Sequence, residues 1–161
     1  MNNRINQVLF ALFFVIISTV ATGQNIDFTK SNFGVRVGLE LDVTNIGFTA
    51  ETPLADDFGE ASINLSSAGD KVTFLYKQYT DLELDDLTNL RYYYGIGPTV
   101  LFTDDNILYG GEVSVGLDYS FDDIPLIVGF EIKPTYFFGD ALYFAQFAFF
   151  GKFDLAQHKG K

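Results

Sequence analysis

The chain has no cysteine and no tryptophan, and it has a single histidine. Without cysteine there is no disulfide framework, no thiolate metal centre, no cysteine nucleophile and no lipid-bearing cysteine at the exit of an export signal. The one histidine, His158, lies close to the C-terminal end, a poor position for an imidazole that must be held beside a hydroxyl in acyl transfer. Basic residues are scarce. Ten Lys and Arg stand against 21 Asp and Glu, a formal charge of −11, which lacks the basic footprint that nucleic-acid binding needs. After the first two dozen residues no apolar run approaches the ~20 residues of a transmembrane helix, and no helical period competes.

What is present begins with a leader. Met1–Gln7 is short and polar and carries Arg4. Val8–Val20 is apolar apart from Ser18 and Thr19, and Ala21-Thr22-Gly23 supplies small residues before Gln24. A charged start, a short apolar core and a small-residue exit describe a secretory signal peptide over 1–23. The organisation expected is therefore a signal peptide (1–23), a β-barrel domain (24–153) and a polar C-terminal tail (154–161).

From Phe33 onward the period is two, the signature of half-buried strands. Phe33, Val35, Val37, Leu39, Leu41 and Val43 share one face, opposite Gly34, Arg36, Gly38, Glu40 and Asp42. A turn is expected at Thr44-Asn45, then strands over Ile46–Glu51, Gly59–Ser67 and Val72–Tyr79. Acidic Asp81–Asn89 reads as the longest connection. Four clearer strands follow: Arg91–Phe102, Glu112–Phe121, Val128–Tyr136 and Tyr143–Phe153, punctuated by Asp104-Asp105-Asn106, Asp122-Asp123 and Gly139-Asp140. Eight antiparallel strands in up-and-down order result.

Alternation alone does not say which face is inside. A soluble, lipocalin-like barrel points its apolar face inward, whereas a membrane barrel inverts this. Three features favour the inverted, transmembrane reading. The polar face is rich in glycine and small residues, as a narrow lumen demands. Its charges are of both signs, so Arg36, Glu40, Asp42, Glu51, Arg91, Glu112, Asp118, Glu131, Lys133 and Lys152 can pair as a lumen network. Finally, aromatics recur near strand ends (Phe33, Tyr92, Phe102, Tyr119, Phe121, Tyr136, Phe138, Tyr143, Phe153), as in aromatic girdles.

The second half also resembles small outer-membrane β-barrel proteins of Bacteroidetes, uncharacterised barrels of the OmpA/OmpW-like kind. The resemblance rests on Leu90–Phe102, on Gly116–Pro134 with its G-L-x-Y-x-F-x-D-x-P hairpin and Lys133-Pro134 ending, and on the opening Phe33–Leu39. It implies a cell-outer-membrane location, contact with outer-membrane lipid and with the barrel assembly machinery, and no assigned activity. One departure is that Asp154–Lys161 follows Phe153, where such barrels usually end on an aromatic residue.

No constellation for chemistry is found. Glu112 and Asp118 lie roughly 20 Å apart along a strand, too far for a hydrolase pair, and Glu131 with Lys133 reads as an ion pair. No catalytic residue, cofactor or metal is therefore expected. The Asp81–Asp86 cluster is the one acidic group worth testing for calcium, although no EF-hand loop is present. Eight strands leave room only for side chains, so an open pore is not expected. The functional expectation is a structural or interaction-class envelope barrel. The rival is a soluble barrel holding a small apolar ligand among Val113, Val115, Phe130, Ile132 and Phe147.

Overall fold

A computed structural model describes residues 28–40, 43–54, 56–84, 87–138 and 142–155. The expected signal peptide, Asp42 and most of the tail lie outside these residues. After a short 3₁₀ turn at Phe28–Lys30, eight strands follow: β1 (Asn32–Glu40), β2 (Val43–Leu54), β3 (Asp57–Ser66), β4 (Gly69–Leu84), β5 (Leu87–Phe102), β6 (Ile107–Ser120), β7 (Leu126–Phe137) and β8 (Leu142–Asp154). Each pairs antiparallel with its neighbours, and β1 pairs with β8 from Asn32↔Asp154 to Glu40↔Gln146, so the barrel is closed. Closure leaves no edge along its wall. The shortest strand has nine residues and the longest sixteen, against the ~9–11 that cross a bilayer at a tilt. We call the end where β1 starts and β8 finishes the proximal end, and the other the distal end.

The expected strand order holds, with shifted boundaries in the first half. Thr44 and Asn45 do not turn the chain; they belong to β2 and face Leu39 and Gly38 across the ladder. The acidic segment from Asp81 is not the longest connection, because β4 continues through it to Leu84 and β5 begins at Leu87. The low strand propensity of Asp and Glu is overridden there by pairing that runs Asp81↔Arg91, Leu82↔Leu90 and Leu84↔Leu87. Between β3 and β4 the turn is tight, with Gly69 at φ +142° and its carbonyl accepting from Ser66 Oγ at 2.8 Å. That backbone conformation is open to glycine and strained for other residues.

Burial is inverted relative to a water-soluble protein. Among the described residues, 24 large hydrophobics are exposed, whereas 21 polar or charged residues are buried against only eight buried hydrophobics. Val113, Val115, Ile132 and Phe147 all point outward, with Val115 53 % and Phe147 51 % exposed. They cannot line an internal apolar pocket, so the lipocalin-like alternative is not favoured. Among the aromatics expected near strand ends, Phe33, Tyr92, Tyr136, Phe138 and Phe153 are exposed, and Phe102 is buried instead.

Long inward side chains fit because glycine stands opposite them. Arg36 pairs across the ladder with Gly47, Lys77 with Gly95, Lys152 with Gly34, Tyr93 with Gly116 and Phe150 with Gly129. A β-carbon at Gly47 would stand 2.6 Å from Arg36 Cγ, and one at Gly95 2.8 Å from Lys77 Cγ. At Gly97 the obstacle is the Phe74 backbone carbonyl, which cannot swing aside; outward Gly151 meets nothing within 4 Å. Gly97→Ala is therefore expected to destabilise the barrel by about 1–3 kcal/mol, and Gly151→Ala to stay within about 0.5 kcal/mol of the parent. Urea titrations of both variants in phospholipid vesicles check this. Equal effects would contradict the packing.

Candidate functional site

The polar faces of all eight strands meet in the lumen. At its centre is Glu60, fully buried, with Arg36 Nη2 at 2.8 Å and Lys77 Nζ at 2.6 Å. Lys152 and Lys133 stand at 3.6 and 3.9 Å from the same carboxylate. Glu51 lies directly opposite Glu60 in the β2–β3 ladder, and two carboxylates so placed repel. Lys152 (2.7 Å from Glu51) and Lys77 (4.0 Å) each bridge both carboxylates and remove that repulsion. Glu51 also accepts from Tyr79 Oη at 2.5 Å and from Asn32 Nδ2 at 3.1 Å.

Glu131 takes Arg36 Nε at 2.9 Å, Tyr93 Oη at 2.8 Å and Ser114 Oγ at 3.1 Å. Towards the distal end Glu112 is held by Lys133 at 2.8 Å, Lys71 at 3.0 Å and Thr135 Oγ1 at 2.9 Å. Lys71 also reaches Gln146 Oε1 at 3.4 Å, and Gln146 donates to Asn45 at 2.7 Å. Near the proximal end Arg91 grips Asp118 with two bonds of 2.9 and 3.0 Å and stacks 4.6 Å from the Tyr79 ring centroid. Tyr79, Tyr93, Phe150 and Ile127 cluster beside it, with Phe58 edge-on to Tyr79 at 5.2 Å. This aromatic group closes the lumen behind the ion pairs.

Eight of the ten residues expected in the network are thus in place: Arg36, Glu51, Arg91, Glu112, Asp118, Glu131, Lys133 and Lys152. Glu40 ends β1 opposite Val43 on one side and Gln146 on the other, and Asp42 lies outside the described residues. Glu60, Lys71, Lys77, Tyr79 and Tyr93 were not anticipated as members. Parity could have found Glu60, which shares a face with Ser62 and Asn64 on β3. It could not readily find Lys71 and Lys77, because Leu75 stands between them on the inward face.

The buried charges balance: five cations (Arg36, Lys71, Lys77, Lys133, Lys152) against five carboxylates (Glu51, Glu60, Glu112, Asp118, Glu131). With partly buried Arg91 the lumen takes six of the chain's ten basic residues and five of its 21 acidic ones. Among the described residues the exposed acids lie at turns and near strand ends, as at Asp56, Asp81, Asp104, Asp105, Asp122 and Asp123. Among the described residues no group of three His, Cys, Asp or Glu is placed to hold a metal ion, and Asp85 and Asp86 fall outside them. The lumen charges are consumed by one another.

Neither a family model nor a curated protein matches the sequence. The fold does have relatives among solved structures. Neisserial surface protein A superposes with a TM-score of 0.51 at 7 % identity, over 77 % of this chain and 94 % of that one. The N-terminal β-barrel domain of Pseudomonas aeruginosa OprF gives 0.52 at 13 % identity, over 76 % and 96 %. This chain has the same eight-stranded barrel fold.

Removing Glu60 alone strands cations in a dry lumen, and unpairing a buried ion pair typically costs about 3–5 kcal/mol. Glu60→Gln is expected to lose that much stability. Adding Lys77→Met should cost less than the sum of the two single changes, because one surplus cation leaves with the carboxylate. A double-mutant cycle by denaturant titration measures the coupling. Additive effects would contradict a shared network.

Proposed function

We propose that this chain is an integral barrel of the bacterial outer membrane, exported by its N-terminal leader, with a structural or interaction role and no catalysis. One observation carries the reading: the continuous outward belt of large apolar side chains around a charged, self-paired interior. In water that belt would be an aggregation surface. In lipid it is the surface a membrane barrel requires. Exposed aromatics near both ends support it, with Phe33, Tyr92 and Phe153 proximal and Tyr109, Tyr136 and Phe138 distal, the levels at which interfacial girdles sit. The structural neighbours, a Neisserial surface protein and the N-terminal β-barrel domain of OprF, support the same reading.

The lumen argues against conduction. Eight strands enclose space for side chains only, and here that space holds Arg36, four lysines and five carboxylates, and an aromatic plug. Outer-membrane lipid is the partner of the barrel wall, and the barrel assembly machinery is the partner needed to insert it. Contacts with other molecules then fall to the two ends.

Membrane fractionation, with boiled and unboiled samples compared by gel electrophoresis, tests the reading. Recovery with outer membranes and a heat-dependent mobility shift are expected. Val115→Arg, which puts a charge into the lipid belt, should cost roughly 2–4 kcal/mol near the midplane and reduce insertion. A water-soluble product without a heat shift, tolerant of Val115→Arg, would overturn it.

A further inference from the structure

We infer that the free edge of β4 over Gln78–Leu84 is a docking lane for an extended, basic segment of a partner protein, which adds beside β4 as an extra strand. The inference rests on the barrel reading and names the partner class for the proximal end. The register creates the lane. Pairing of β3 with β4 runs from Ser66↔Gly69 to Phe58↔Lys77 and stops, because β3 begins at Asp57. β4 continues through Gln78 to Leu84, paired there only with β5. The β4–β5 hairpin therefore stands beyond β3, and among the described residues no strand covers its β3-side edge. On the other flank the overhang is small. Leu90 still pairs with Tyr119, and Asn89 Nδ2 reaches Asp122 at 2.6 Å.

The surface also changes character at this point. Positions of the outward parity on β4 pass from Val72, Phe74 and Tyr76 to Gln78 and Thr80, before Leu82 and Leu84. Gln78 and Thr80 thus interrupt the apolar belt where the β3 pairing ends. An edge of about seven residues exposes alternate N–H and C=O groups over roughly 23 Å, enough to template a strand. Main-chain bonds supply the affinity of such additions and side chains the selectivity.

Charge decides which strand fits. Asp57 closes the lane at its β3 end, its carboxylate accepting from Tyr76 Oη and from Gln78 Nε2 (3.0 Å). Asp56 beside it and Asp81 within the lane are exposed. A second copy would bring the same acids against these, so self-pairing is repelled. That is the usual protection of an edge, and it leaves a segment with regularly spaced Lys or Arg as the complementary guest.

Backbone amide exchange of the folded full chain in lipid nanodiscs tests this, with a capped (Lys-Val)₄ peptide as probe. The control has the same composition with alternate D-residues, so it carries the same charge but cannot form a regular strand. Alternate amides within 78–84 should exchange at least tenfold more slowly with the all-L peptide and be unchanged with the control. No added protection, equal effects of both peptides, or an effect centred on Asp104-Asp105 or Asp122-Asp123 would overturn the lane. A heat-mobility gel of the same sample separates the two levels. An intact shift without protection removes the lane alone, and a missing shift removes the barrel reading and the lane with it.

Discussion

The structure depends on one constraint: charges turned into a narrow, closed lumen must find partners there. An isolated buried charge is expensive, and a paired one is tolerable only when the geometry satisfies both members. Here the pairs are not independent. Glu60 is shared among cations from β1, β4, β7 and β8, and Lys77 and Lys152 each serve two carboxylates. Every strand that contributes to this centre is held to one register, because slipping by a single residue would turn its charges outward and its apolar belt inward. The network thus acts as a device for fixing register, and the same registers set how far β4 runs past β3.

Space is the second half of that constraint. Eight strands cannot enclose Arg36, four lysines and Tyr93 unless other positions give up volume, and glycine opposite a long side chain is the arrangement used at Gly34, Gly47, Gly95 and Gly116. Outward glycine at Gly151 has no such duty. The long side chains lie flat across these gaps, which brings their charged tips to the axis. Packing and electrostatics are therefore one design: the glycines position the ions, and the ions make the glycine-thinned wall stable.

Much of this was legible in the sequence. The two-residue period, the segregation of mixed charge and glycine to one face and the even strand number led to the barrel. They also identified most of the lumen charges, from Arg36 through Lys152. What escaped did so for physical reasons. Thr44 and Asn45 look like a turn, yet Asn45 is an inward residue bound to Gln146. Asp81 belongs to a strand because the β4–β5 ladder continues through it to Leu84↔Leu87, a long-range pairing invisible to local propensity. β4 hid Lys71 and Lys77 because Leu75 interrupts its polar face. The aromatic plug of Tyr79 and Tyr93 could not be told from a girdle by spacing, since only the barrel brings β4, β5 and β8 together at one end.

The central claim is that the apolar face meets lipid while the charged face is sealed inside. The most direct measurement is methyl NMR of the protein in lipid nanodiscs with a paramagnetic label placed deep in the acyl chains. If the barrel is inverted, the methyls of outward Val113, Val115, Leu117 and Ile132 broaden, and those of inward Leu75 and Ile127 do not. Broadening of the outward methyls by a water-soluble paramagnet instead, with the lipid label silent, would contradict the account.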